Sequence, residues 1–349
     1  MPDPPTNCSH PDCFWEEPVF GWVELVIKTV KLSFLVCVTI IYVPLMLFGL
    51  LGNILTILVV WLRPHMRSST YLYLSSMAIS DLLILLLLPL DLYKLWRPRP
   101  WPLGDLACKL TMFLSECCTF CTILHITFLS LERYVAVCWP ITAKTLVTRR
   151  RTRAIIGCLW LGAAVSAAPV LLMVGVEDIG GDEADRRECR CTQYAISSGL
   201  LSAMMILSNL YFLVPLSILG LVYSLIGRTL WLRPKSSRKE QGHRNTVKML
   251  GVIVLAFVLC WLPFHVGRTI FSLSLGSPLW PSDVHGYFLY YLSQYFNLVS
   301  SVLFYLSAAI NPLLYNLMSA RYRLAVRSLV RGPSQTQAHV MCFLYPLLH

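Results

Sequence analysis

Seven stretches of this chain are apolar for about the length that a bilayer core demands, and they fix its class before any motif is read. They run from Leu32 to Leu62, Tyr71 to Leu95, Leu106 to Cys138, Ala154 to Val174, Leu200 to Leu230, Val247 to Leu273 and Tyr287 to Leu317. Hydrocarbon satisfies no backbone amide, so segments of this length are read as helices, and the prolines inside several of them are tolerated where neighbours re-satisfy the freed carbonyl. With 56% of 349 residues hydrophobic and 13% charged, a soluble domain would leave far too much apolar surface in water. The expected fold is an all-α membrane protein, a seven-transmembrane helix bundle over 32–318. An extracellular segment, 1–31, precedes it; a short amphipathic interfacial helix, 319–332, and a short cytoplasmic tail, 333–349, follow.

Charge sets the orientation. Of the 29 Lys and Arg, 19 fall on the side that carries Arg133, where Glu132 and Glu240 are the acids. The other side holds 10 basic residues and 13 of the 18 acids, with Asp81, Asp91 and Glu116 left inside the membrane. The basic side is therefore cytoplasmic, which predicts a multi-pass plasma-membrane protein with its N-terminus outside. The net charge of +11 follows from this topology and calls for no nucleic acid. Residues 1–20 are acidic and proline-rich without a basic n-region, so no cleaved leader is expected and helix one serves as the membrane signal. Asn7-Cys8-Ser9 is an acceptor pattern for N-glycosylation at Asn7, though so short a pattern suits an unmodified Asn equally well. Most of the 13 cysteines lie in apolar segments as small hydrophobes. Cys8, Cys13, Cys108, Cys189 and Cys191 face the oxidising side; Cys8 and Cys13 could close a small loop, and one of Cys189 and Cys191 is expected to bridge to Cys108.

Helix three carries the chemistry. From Cys108 to Arg133 at about 1.5 Å per residue is roughly 37 Å, more than a hydrocarbon core of roughly 30 Å, so both ends protrude and Glu132-Arg133-Tyr134 meets the inner boundary. Lys109, Glu116 and His125 interrupt its apolar faces. Gly49 and Gly52 on helix one permit close approach of a neighbour, and the Asn53 amide needs a partner that lipid cannot supply. Asp81 at mid-membrane is costly unless it serves an ion or a hydrogen-bond network. Asp91, Lys94, Trp96, Arg97 and Trp101 follow at the outer end of helix two, where Lys94 and Arg97 are read as snorkelling or as pocket charges. Arg149-Arg150-Arg151 and Arg153 suit lipid headgroups without any partner protein. Pro263 after Trp261 predicts a kink at which helix six pivots.

These residues together resemble the rhodopsin-type (class A) G-protein-coupled receptors. The resemblance rests on Asn53, Asp81, Cys108, Glu132-Arg133-Tyr134, Trp160, Pro215, Cys260-Trp261-Leu262-Pro263 and Asn311-Pro312-Leu313-Leu314-Tyr315, each on its expected helix. A closer similarity, through Ala78 to Ile84, Pro89 to Leu92, Phe264-His265-Val266-Gly267-Arg268 and Phe304 to Ile310, is to the ghrelin (growth hormone secretagogue) receptor group, with motilin receptors as the alternative. It implies no enzyme, a ghrelin-like extracellular peptide hormone as ligand and a heterotrimeric G protein of the Gq class as partner, beside membrane lipid. Glu188-Cys189-Arg190 favours Cys189 as the partner of Cys108. The sequence departs from the group at Met112 and Ser301, and its tail lacks a cluster of phosphorylatable residues, having Ser334 and Thr336 and little else.

The expected ligand residues are Asp91, Lys94, Met112, Ser115, Glu116, Phe264, His265, Arg268, Asn297, Ser301 and Phe304, with the ligand's cation near Asp91 or Glu116. Ser115 stands where amine receptors place an aspartate, which argues against a small monoamine. Glu116 and Arg268 pair across the bundle, or else Arg268 reaches outer water and Glu116 is protonated. The switch comprises Glu132, Arg133, Tyr134, Tyr223, Trp261, Pro263, Asn311, Pro312 and Tyr315. No cofactor is required; a sodium ion is expected on Asp81, Thr122, Ser307 and Asn311, the alternative being a protonated Asp81 bonded to Asn53 and Asn311. Other classes fare worse: no lysine lies between His285 and Ala320 for a retinal Schiff base, no His-Glu-x-x-His occurs, and no transporter-like repeat of halves is evident.

Overall fold

The computed structural model describes residues 16–178, 187–232, 238–276 and 284–330. Asn7, Cys8, Cys13 and the tail 333–349 with Ser334 and Thr336 lie outside the described residues. Seven helices are long and apolar enough to cross a membrane. They are α1 (Glu16–Leu62), α2 (Ser69–Trp96), α3 (Gly104–Cys138), α5 (Arg149–Ala167, continued by α6, Val170–Met173), α8 (Leu200–Leu232), α9 (Arg238–Gly276) and α10 (Val284–Met318). The short α4 (Pro140–Leu146) links α3 to α5, α7 (Gln193–Ser197) precedes α8, and α11 (Ala320–Val330) follows α10.

Three differences from the sequence expectation have physical reasons. α1 starts at Glu16 and α9 at Arg238, each well before its apolar run, because hydropathy marks only the part of a helix that lipid covers. The fourth membrane helix breaks at Pro169, which cannot donate the next helical bond. The fold is also not purely helical: β1 (Val174–Asp178) and β2 (Arg187–Cys191) form an antiparallel hairpin with Val174 opposite Cys191 and Val176 opposite Cys189.

The core runs along α2 and α3, the helices with the largest buried share, while α1 and α5 turn most of their surface to lipid. Polar residues decide which helices touch. Asn53 Nδ2 donates to the carbonyls of Gly49 and Ala308, each at 2.9 Å, tying α1 to α10. Trp160 Nε1 donates to Ser76 Oγ at 2.9 Å and holds the fourth helix on α2. Tyr322 on the buried face of α11 shares a hydrogen bond of 2.9 Å with Thr56, whereas Leu324 faces outward at 66% exposure, as an interfacial helix requires. Ser319 Oγ caps that helix by accepting from Tyr322 N at 3.2 Å.

Gly49 lets these backbones approach: a Cβ there would stand 2.6 Å from Leu85 Cδ1 and 3.0 Å from Ala309 Cβ. Gly157, on the lipid-facing fourth helix, has open space around such an atom. Gly49→Ala is expected to destabilise the receptor by about 1–3 kcal/mol through overpacking, read as a lowered melting temperature in detergent. Gly157→Ala should melt with the parent, and equal melting of both variants would refute the close approach.

Candidate functional site

At the outer mouth the hairpin is fixed to α3. Cys108 at its first turns and Cys189 on β2 form a disulfide, with Cα atoms 5.6 Å apart, which resolves the choice between Cys189 and Cys191. Cys191 carries a free thiol, and burial raises its pKa, which keeps it protonated and weakly reactive. Asp105 accepts from the backbone N–H of Val176 at 3.0 Å and pairs with Lys109 at 2.6 Å. Trp101 N donates to Arg187 O at 2.8 Å, so β2 is also held by the connection between α2 and α3.

Below the hairpin lies an ion pair between helices. Arg268 Nη1 on α9 meets Glu116 Oε2 on α3 at 2.7 Å, with side-chain exposures of 20% and 8%. The alternative, Arg268 in outer water and Glu116 alone, does not hold. The guanidinium also sits 5.3 Å from the Phe264 ring centre, a cation–π contact that adds to its hold on α9. Among the described residues Glu116 Oε1 is buried without a hydrogen-bond partner.

The other expected pocket residues divide. Phe264 stacks on Phe304 at 4.9 Å, and Trp261 stands edge-on to Phe304 at 5.3 Å, an aromatic block between α9 and α10. His265 is buried, stacked on Phe212 of α8 at 4.7 Å; it wedges α8 against α9. Met112 packs on the cluster built by Val170, Met173 and Leu201, on the hairpin side of α3. Ser115 is half-buried, and its carbonyl accepts from the Thr119 hydroxyl at 2.8 Å. Ser301 is half-buried, while its neighbour Ser300 is fully buried and donates to Pro263 O at 3.1 Å. Asn297 is on α10, and its side chain lies outside those described.

Asp91 accepts from the Tyr305 hydroxyl on α10, and Tyr305 stands edge-on to Tyr42 of α1 at 5.2 Å. Lys94 does not snorkel. Its Nζ is buried 5.1 Å above the centre of the Trp101 ring, where the aromatic face stands in for water. Two ties escaped the sequence reading altogether: Tyr305 with Asp91, and Asn209 Nδ2 of α8 with Thr269 Oγ1 of α9 at 3.0 Å. A phenol or an amide in an apolar run carries no signal of its partner.

At mid-membrane Asp81 is buried and accepts from Asn311 Nδ2 at 2.9 Å. Asn53 Nδ2 is committed to carbonyls of α1 and α10, and among the described residues no hydrogen bond joins Asn53 to Asp81. Thr122 shares a hydrogen bond of 2.8 Å with Ser80, and Ser307 donates to Phe304 O at 2.7 Å. Thr122, Ser307 and Asn311 nevertheless line one cavity of about 10 Å3, closed by Trp261 and Phe257. That is room for about one water-sized group.

At the inner boundary Arg133 Nη2 binds Glu132 Oε1 at 2.8 Å, with exposures of 17% and 8%. The Tyr223 hydroxyl of α8 lies 3.5 Å from Ser130 Oγ, at the outer limit for a bond. Tyr134 packs against the cluster of Val137, Val222 and Ile226. Tyr315 is buried beside Tyr322 with ring centres 6.3 Å apart, four residues after Asn311 and three after Pro312 on α10. Arg133 is thus held on its own helix, beneath an α9 that contains Pro263.

This arrangement, an acid–arginine pair at the inner end of a seven-helix bundle with a disulfide-tethered hairpin at the outer end, coincides with the match of residues 52–315 to the family of 7 transmembrane receptors (rhodopsin family). The chain belongs to that family: it is a class A G-protein-coupled receptor, and not an enzyme. Among its relatives, growth hormone secretagogue receptor type 1 of Sus scrofa is 50% identical over 337 residues, covering 94% of this chain and 90% of that one. The Homo sapiens receptor of the same name is 52% identical over 296 residues, covering 83% and 79%, and the Homo sapiens motilin receptor is 43% identical over 348 residues, covering 86% and 82%.

Breaking a buried ion pair by removing one partner costs about 3–5 kcal/mol. Glu116→Arg and Arg268→Glu should each lower melting temperature and surface expression, and the double variant should recover both. A double variant no better than either single one would refute the pairing.

Proposed function

We propose that this receptor sits in the plasma membrane with its N-terminus outside, binds an extracellular ghrelin-like peptide hormone and activates a heterotrimeric G protein of the Gq class, with calcium release through phospholipase C. Glu116 carries the reading. Its Oε2 neutralises Arg268 while Oε1 remains free beneath the hairpin, an acceptor for a basic or free amino group of a peptide. Arg268, Phe264 and Phe304 form the adjoining wall, and Asp91 contributes charge from the α2 side. The growth hormone secretagogue receptors at 50% and 52% identity support a ghrelin-like ligand over the motilin-like alternative at 43%. Met112 and Ser301 are where ligand preference would diverge.

Inside, Arg133 is released from Glu132 when α9 pivots at Pro263, and it then meets the G protein and Tyr223. Competition with acylated ghrelin peptide, run beside motilin on transfected cells, tests the ligand; calcium release at equal surface expression tests the coupling. Acylated ghrelin should compete and stimulate. Asp91→Asn should reduce potency without loss of surface expression, Glu116→Gln should reduce potency at matched surface expression because its expression itself falls when Arg268 is left unpaired, and Arg133→Ala should abolish the calcium response. Unchanged peptide potency in both acid variants would sink the ligand assignment, and a parental response from Arg133→Ala would sink the switch.

A sodium ion on Asp81, Thr122, Ser307 and Asn311 belongs to the same proposal. The cavity shared by Thr122, Ser307 and Asn311, the last of which hydrogen-bonds Asp81, supports it, and hard cations favour such oxygens. Agonist affinity should fall when sodium replaces a bulky organic cation, and Asp81→Asn should erase that difference. Affinity indifferent to sodium in the parent would count against the site.

A further inference from the structure

Among the described residues the carboxylate of Asp91 accepts one hydrogen bond, and its donor is a tyrosine outside the expected ligand set. The Tyr305 hydroxyl on α10 donates to Asp91 Oδ2 on α2. Lys94, about one turn further out on α2, does not compete for that carboxylate: its Nζ makes no hydrogen bond and stands 5.1 Å from the centre of the Trp101 ring. One oxygen of Asp91 is thus committed to a phenol, and Oδ1 is left for another partner.

Tyr305 is itself held from two sides. Its buried ring stands edge-on to Tyr42 of α1 at 5.2 Å and to Phe304 of α10 at 5.3 Å, and Phe304 in turn stacks on Phe264 at 4.9 Å in the aromatic wall beside Arg268. Tyr42 is buried as well. Three residues before it on α1, Thr39 Oγ1 accepts from Trp96 Nε1 of α2 at 2.9 Å, which pins the outer half of α1 to the helix that carries Asp91. A phenol whose ring is fixed delivers its proton from a fixed point, and a hydrogen bond to an ionised acceptor is about twice as strong as a neutral one. The orientation has a consequence for binding: a side chain that a ligand must order loses rotamer freedom on association, whereas one already ordered does not.

We propose that Tyr305 is a positioning residue of the ligand site: its hydroxyl holds Asp91 Oδ2 so that Oδ1 receives the cationic group of the peptide, and Tyr42 keeps the Tyr305 ring in place. The inference rests on the reading above, in which Asp91 lends its charge to the ligand. It brings into the site α1, a helix to which no part in binding had been assigned. A tie that only steadied α2 against α10 would behave differently, because the side-chain amide of Asp91→Asn still accepts the Tyr305 proton but carries no charge.

The test is competition binding of acylated ghrelin peptide to the full-length receptor on transfected cells at matched surface expression, beside the melting temperature of the purified protein in detergent. Asp91→Asn should weaken binding at the parental melting temperature. Tyr305→Phe, which keeps the ring and removes the hydroxyl, should weaken binding by roughly 3- to 10-fold. Tyr42→Leu should weaken it by a smaller factor, while Tyr42→Phe, which keeps the ring edge, should bind as the parent does. The deciding measurement is the double variant: once Asp91→Asn has removed the charge, adding Tyr305→Phe should weaken binding no further. An equal loss from Tyr305→Phe in both backgrounds would show a tie that merely steadies the bundle, and would overturn the proposal. Parental binding in Tyr305→Phe beside weakened binding in Asp91→Asn would also overturn it while leaving the ligand reading intact, and parental binding in Tyr42→Leu would overturn the part given to α1. Parental binding in Asp91→Asn, or a parent receptor that does not bind the peptide, would overturn the ligand reading and this inference with it, because Asp91 would have no cation to be positioned for.

Discussion

Hydrocarbon offers no hydrogen bond, so each polar group that this chain places between the membrane surfaces dictates which helix must stand beside which. Asn53 selects the backbone of α10, Trp160 selects Ser76 on α2, and Asp81 selects Asn311. Glu116 and Arg268 join α3 to α9, while Asn209 and Thr269 join α8 to α9 at nearly the same depth. Apolar side chains fill the space between these ties without choosing partners, because lipid is as good a neighbour for leucine as another helix is. The bundle is therefore specified by a small number of polar contacts and packed by a large number of indifferent ones.

The same economy explains what could be read from sequence. Charges in apolar segments are conspicuous, so the pairing of Glu116 with Arg268 and of Glu132 with Arg133 was legible from residue type and position. The membrane spans were legible because a bilayer fixes their length. The partner of Asp91 was hidden, since the Tyr305 hydroxyl looks like any aromatic residue in an apolar run until the helices are assembled. Lys94 stayed open between snorkelling and a pocket charge for a related reason: a lysine near a helix end has water within reach, and only the fold reveals Trp101 lying across its path. The commitment of Asn53 to carbonyls was equally hidden, because a carbonyl acceptor leaves no mark in the sequence. The hairpin escaped because its strands are five residues each and lie between helices, where propensity says little and the disulfide and Asp105 decide the shape.

The inner end follows a different rule from the outer one. Toward the outer end, Glu116 on α3 pairs with Arg268 on α9, which makes that ion pair a tie across the bundle. Inside, Arg133 is paired with its own sequence neighbour, so its removal from Glu132 separates no two helices. A switch built that way can open without first breaking the bundle.

The anchoring of the hairpin gives the pocket mouth a mechanical asymmetry. A covalent bond, a carboxylate and a backbone hydrogen bond fix it to α3 and to the chain just before it, and none of these ties is made to α9, which contains Pro263. On the proposed reading, in which α9 pivots at Pro263, the mouth has one stationary jaw and one that swings with α9. A ligand gripped by the stationary jaw would then keep its footing while the other side moves, so motion at the hinge would change the grip on it without first releasing it.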